Sequence, residues 1–133
     1  MTYKTILLHM ADPRRARRLL EAAVPLARLM DAHLSALCVK PPFVVVPAVD
    51  GAGTTMTVDE HRIAYQAEVK KLKEIFEAAT RGQQLKLEWR EDDAGFVNVS
   101  ETVIEHGRTS DLIVVSQADP TWSYTNFIEE PDR

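Results

Sequence analysis

Asp111–Pro120, DLIVVSQADP, is the stretch whose reading decides the fold. An acidic residue leads into four apolar residues, three of them β-branched, and a small polar residue follows at a turn. That pattern reads as a strand buried on both faces that ends at an open loop. Strands of this kind are central and parallel, and open α/β sheets gather their ligands at the loops beyond such carboxyl ends. Whatever the domain binds is therefore expected at Ser116 to Pro120.

Upstream, strands and helices alternate. Lys4–His9 carries the short apolar run Ile6, Leu7, Leu8 and reads as a buried first strand. Asp12-Pro13 supplies a helix N-cap with proline at the first helical position, and Ala16, Leu19, Leu20, Ala23, Ala27 and Met30 recur at helical spacing. Pro25 lies inside that helix, so a bend or a restart is expected there. His33–Val39 is the second strand, ended by Lys40-Pro41-Pro42. The connection from Pro41 to about Thr57 is too long for an ordinary loop. Its Phe43-Val44-Val45-Val46 core and Gly51-Ala52-Gly53 tip suggest an extended apolar piece and then a mobile one. The valines pack on the domain's own flank or meet a partner.

Asp59 to Arg81 has the clearest helical stripe, Tyr65, Val69, Leu72, Phe76 and Ala79, with Gly82 as its stop. Leu85–Trp89 is expected as a third strand with one wet face, followed by an acidic turn at Glu91-Asp92-Asp93. Phe96–His106 is expected as a third helix with Phe96, Val97, Val103 and Ile104 inward, ending at Gly107. Repeated βα units predict an open parallel sheet with helices on both faces, joined by right-handed crossovers. After Pro120 comes a tail with Trp122, Tyr124 and Phe127 but no fifth strand, which would leave an open edge beside the strand at Asp111.

Composition bounds the function. The 133 residues suit one domain, and 45% hydrophobic with 27% charged residues is the balance of a globular protein. No apolar run is long enough to span a bilayer, and a formal net charge of −4 argues against general nucleic-acid binding. The single cysteine, Cys38, has no ligand-spaced neighbour and reads as a buried inert thiol. A reducing, cytoplasmic setting is expected, and the N-terminus reads as structure, not as a signal peptide.

The sites of chemistry are few. Arg14, Arg15, Arg17 and Arg18 crowd the positive end of the first helix and read either as an anion site or as a solvated cluster paired with acids such as Glu21. His9 and Ser116 could meet across the top of the sheet as base and nucleophile, but no third orienting group and no G-x-S-x-G elbow accompany them. His33, His61 and His106 form no metal-ligand spacing, so no metal is expected. The triplet Glu91-Asp92-Asp93 resembles an acidic pocket and makes a phosphorylation-receiver domain the runner-up fold, but paired acids at the end of strand one and a lysine after a final strand are missing, so a hydrated turn is the better reading.

Lys4-Thr5-Ile6-Leu7-Leu8-His9, the helix with Ala23, Leu26 and Ala27, Asp31-Ala32-His33-Leu34 and Ser110-Asp111-Leu112-Ile113-Val114-Val115 together resemble the universal stress protein (UspA) family. The resemblance runs almost to Pro120. It implies a five-stranded, Rossmann-like parallel sheet of adenine-nucleotide-binding type (adenine nucleotide alpha hydrolase-like). Its members often dimerise through the last strand, and some carry two such domains in one chain. The sequence looks like the first half of such a tandem protein, cut within the fourth helix.

In that family an aspartate after strand one, a valine ending strand two and a glycine motif after strand four hold the nucleotide. Val39 matches the valine. The aspartate position falls on Ala11 with Asp12 one place late, and the glycine positions fall on Ser116 and Asp119, with Gln117 in the same loop. Glycine there lets backbone N–H groups approach phosphate, which serine imitates in part and aspartate opposes by its charge. The expectation is a non-enzymatic domain acting in stress response by association, as a homo-oligomer or with a second UspA-like domain, and without a cofactor. The alternative is an ATP or AMP sensor with a modified phosphate site at Asp12, Val39, Ser116 and Gln117, or a site for another small anionic ligand.

Overall fold

The computed structural model describes residues 3–41, 58–95 and 97–116. In chain order these form β1 (Thr5–His9), α1 (Pro13–Met30), β2 (His33–Lys40), α2 (Val58–Thr80), β3 (Lys86–Asp93), α3 (Val99–Gly107) and β4 (Leu112–Val114). The sheet is parallel throughout, in the order β3-β2-β1-β4. A chain that adds strands outward from β1 to β3 and then returns to β1's other side must change helix layer at the return. Accordingly α1 and α2 cover one face, whereas α3 covers the other.

The first strand is the true centre. Ile6, Leu7 and Leu8 are wholly buried, Ile6 and Leu8 against the α1/α2 layer and Leu7 with Leu37, Val39, Val99 and Val103 beneath α3. Burying each such side chain contributes about 1.5–3 kcal/mol, so this tripeptide holds both layers to the sheet. α1 presents Ala16, Leu20, Ala23, Val24 and Ala27 to the core, as its periodicity requires. Pro25 neither ends nor restarts it, because the helix is continuous from Pro13 to Met30 and the proline ring lies on its exposed side. Asp31 closes α1 in the left-handed region at φ 52°, its N–H bonded to the carbonyls of Ala27 and Arg28. α2 buries Val69, Leu72 and Phe76 with Tyr65 and Ala79 partly covered, and Gly82 follows at φ +76°.

Three expectations are corrected. β4 is not buried on both faces. Among the described residues it is the outer strand on β1's far side, Leu112 and Val114 are half-covered by the α1/α2 layer, and Ile113 is 36% exposed. Its apolar run suited either position, and neighbours alone decide between them. The acidic triplet is not a turn, because β3 runs through Glu91, Asp92 and Asp93, paired with Cys38, Val39 and Lys40 of β2. Backbone pairing outweighs the low strand propensity of aspartate where the side chains reach water. α3 begins at Val99, after the Asn98 N-cap whose side chain accepts from Glu101 N–H, so Val97 and Ile104 point outward at 46% and 50% exposure. Phe96, Val44–Val46, Gly51–Gly53, Gln117, Asp119, Trp122, Tyr124, Phe127 and the question of a fifth strand lie outside the described residues.

Candidate functional site

The order β3-β2-β1-β4 puts the topological switch point between β1 and β4, and a ligand cleft is expected beyond their carboxyl ends. The chain there supplies His9, Asp12 and Ser116, with Val39 one strand away. All four are buried, at 1%, 3%, 8% and 5% exposure respectively.

Asp12 is already engaged. Its Oδ1 accepts the backbone N–H of Arg14 at 2.9 Å, the capping bond of α1, and also Arg14 Nε at 3.3 Å. Its Oδ2 accepts Arg14 Nη2 at 3.3 Å and lies 4.0 Å from Arg15 Nε. Proline at the next position sets this geometry by fixing the first helical φ. The expected arginine cluster therefore divides. Arg14 and Arg15 gather on Asp12, whereas Arg17 and Arg18 are exposed and make no ion pair among the described residues, the expected one to Glu21 included.

Val39 lies in the apolar group with Leu7, Leu37, Ala94, Val99 and Val103, on the α3 face. His9 is pushed down to about 4 by burial, so its imidazole is neutral at pH 7, and its Nδ1 has no hydrogen-bond partner. No hydrogen bond joins His9 to Ser116, the arrangement a base and nucleophile would need. The register explains why. Leu8 pairs with Val114, so the chain reaches Ser116 one residue out of step with His9.

Sequence reasoning missed the polar contacts that fix the sheet's margins. Asp111 Oδ2 accepts the backbone N–H groups of Lys4 at 2.7 Å and Thr5 at 3.1 Å, clamping β4 to the start of β1; these bonds hold its carboxyl below the usual range. On β3, Glu88 accepts Arg90 Nε at 2.7 Å and Ser35 Oγ at 3.4 Å, with His33 Nε2 3.8 Å away, and the bond from Arg90 lowers its pKa. Asp92 bonds His106 Nε2 across to α3 at 2.7 Å, which holds the aspartate low. The alternation Lys86, Glu88, Arg90, Asp92 was the signal, since it runs on through the acidic triplet. Cys38 is buried and its thiol pushed up, chiefly by burial and then by Glu91, consistent with an inert thiol. Among the described residues no group of histidine, cysteine or carboxylate side chains could hold a metal, and no helix is long and apolar enough to cross a membrane.

No family model matches the chain, and no curated protein matches it either. Solved structures do. A universal stress protein family member from Burkholderia pseudomallei superposes at a TM-score of 0.61 with 21% identity, covering 86% of this chain and 82% of that one. UspA from Lactobacillus plantarum gives 0.63 with 19% identity, covering 96% and 90%. The chain has the universal stress protein fold. A third structure of that fold, a universal stress protein in complex with cAMP, gives 0.55 with 16% identity over 95% and 82%.

Proposed function

We propose that this chain acts by association, as a universal stress protein-type domain of the cytoplasm in the stress response, with no catalytic step of its own. The observation that carries the reading is the outer edge of β4. Leu112-Ile113-Val114 has no charge, no strand pairs with its far side among the described residues, and Ile113 is exposed beside it. An uncharged strand edge is a template for pairing, and a second copy of this chain, or a second domain of the same fold, is the partner we assign to it. The engagement of both Asp12 oxygens supports the same reading, because a carboxylate held by Arg14 and a helix cap has little left to offer a nucleotide.

A second reading has one observation in its favour. The buried Nδ1 of His9 lacks a partner at the switch point, and one fold neighbour was solved with cAMP, so a small adenine nucleotide is the ligand to try. Calorimetric titration of nucleotide-stripped protein with ATP, AMP and cAMP, beside a light-scattering mass, separates the two. A dimer that Ile113→Lys converts to monomer, with no nucleotide heat, supports association. A monomer at every concentration overturns it, and micromolar nucleotide binding that His9→Leu abolishes puts the sensor reading in its place.

A further inference from the structure

His9 closes β1 at the seam where that strand meets β4, and its two flanks differ. Toward β2 the pairing runs on through it. His9 stands opposite Leu37, and the next N–H, that of Met10, donates to the Leu37 carbonyl at 2.9 Å. Toward β4 the pairing stops one residue short, at Leu8 opposite Val114, and the chain beside the histidine, Val115-Ser116, lies outside any strand. Faces alternate along a strand, so His9 shares the side of Leu7, where Leu37, Val39, Val99 and Val103 make the packing beneath α3 apolar.

The ring is 1% exposed and its Nδ1 has no hydrogen-bond partner, a setting that suits a neutral imidazole and opposes a charged one. The surrounding elements supply no free counter-charge. β4 carries no charged residue. Lys40, at the end of β2, lies 3.9 Å from Asp93, and Asp92 of β3 is bonded to His106 of α3. Glu101 and Glu105 of α3 are exposed, and Asp12, beyond β1, is held by Arg14. Burial alone pushes the ring down to about 4, so it accepts a proton in mild acid only by first reaching water.

What holds each flank decides which gives way. β2 pairs with β1 over all five residues of that strand and is backed along its length by β3. β4 pairs over three, with no strand on its far side among the described residues. Opening β4 at its carboxyl end therefore uncovers His9 at the smallest loss of pairing. Its amino end stays fixed, because the Asp111 carboxylate accepts the Lys4 and Thr5 N–H groups and is held ionised below the usual aspartate range.

We propose that His9 is an acid-sensitive latch on the β1–β4 seam: when its ring takes up a proton, β4 swings out at its carboxyl end about the Asp111 clamp while the rest of the domain stays folded. Withdrawal of the β4 edge from association is the consequence, and that consequence alone rests on the reading given above. A hydrated imidazole titrates near 6.5 and the buried one at about 4, so the opening constant rises about fiftyfold between pH 7 and 4.5. That shift carries a strand end about 2% open to about half open.

The test is native-state amide exchange of the whole chain in low urea from pH 7 to 4.5, corrected for the pH dependence of the chemical step. Amides pairing β1 with β4 at the His9 end exchange through an opening that depends little on urea, lies below the global unfolding read from β2 and β3, and rises about fiftyfold over that range. Lys4 and Thr5 follow only the global reading, and in His9→Leu the rise of the local opening is lost. Exchange of β4 only together with β2, through urea-dependent global unfolding, overturns the proposal. So does a rise that survives His9→Leu, or a local opening indifferent to pH in the unaltered protein, a result that decides the matter even where the variant fails to fold. Light-scattering mass at the same pH values reads the consequence separately. A dimer that dissociates as the opening rises supports it, and a dimer that persists overturns it. A monomer at pH 7 removes the association reading and leaves the latch to stand or fall by exchange.

Discussion

The two edges of the sheet are built on opposite terms. β3 is eight residues long, KLEWREDD, with six of them charged; β4 is three residues, LIV, with none. Both are outer strands of the described sheet. On β3 the charged row stands over the part of the sheet that α3 leaves bare, and Glu88–Arg90 and Asp92–His106 tie it down. Its other face is anchored by Trp89, whose ring meets Phe76 of α2 at 5.5 Å between centroids. On β4 the links are few, namely the Asp111 clamp to β1, Ile113 against Gly107, and the half-covered Leu112 and Val114. An edge dense in charge resists pairing with a second sheet, whereas an uncharged one lacks that guard, and this difference in charge is the physical content of the association reading.

The comparison breaks first where β3 is anchored. Phe76→Ala opens a cavity in the α2 layer and removes the ring under Trp89, with an expected loss of about 3–5 kcal/mol in urea unfolding. A loss below about 1 kcal/mol would mean that β3 is held by its backbone pairing and not by its apolar face.

Acid separates the centre of the sheet from both edges. The folded pKa of His9, about 4, lies below its unfolded value near 6.5, so between those values the unfolded state binds more protons and stability falls as pH falls. A decline of order 3 kcal/mol is expected from about pH 6.5 to 4, present in the wild type and flattened in His9→Leu. A wild-type profile that is flat over that window would show the ring reaching water. The Asp111 clamp acts lower. Its carboxyl is depressed in the folded state, so the bonds to Lys4 and Thr5 are retained above the unfolded value and lost as pH falls through the folded one. Earlier amide exchange at Lys4 and Thr5 in strong acid is the signature.

At the β4 margin, Gly107→Ala is the sharper probe. A Cβ at Gly107 would collide with Ile113 Cδ1, so the substitution is expected to cost about 1–3 kcal/mol, and Ile113→Ala in the same chain should restore part of it. Purely additive costs in a double-mutant cycle would rule out that contact as the cause. Smallest is Glu88→Gln on β3. It removes the charge from a half-exposed pair with Arg90, and a change of about 1 kcal/mol or less is expected in thermal unfolding, shrinking with salt.

Much of the fold was legible because one residue type suffices for it. Ile6-Leu7-Leu8 reads as a buried strand by its shortness and its flanks, and the Tyr65–Ala79 stripe as one face of a helix by its period. The site was less so. Asp12 was found in the sequence, but its capture by Arg14 and Arg15 depends on a helix turning those side chains back over the cap. His9 and Ser116 were named together, yet strand register, which no local pattern encodes, keeps them from bonding.

By itself the sequence determined the alternation of strands and helices, the caps at Asp12 and Gly82 and the burial of Cys38, because each follows from local periodicity or backbone preference. The tertiary structure alone decided which strand is central, that Asp92 and Asp93 stay in β3, that Val97 and Ile104 face outward, and which carboxylates are spent on arginine, histidine or backbone N–H groups. An apolar run buries itself in any company, but its place in a sheet is set by neighbours distant in sequence. For the same reason DLIV, which reads as the heart of the protein, lies at the edge of the described sheet.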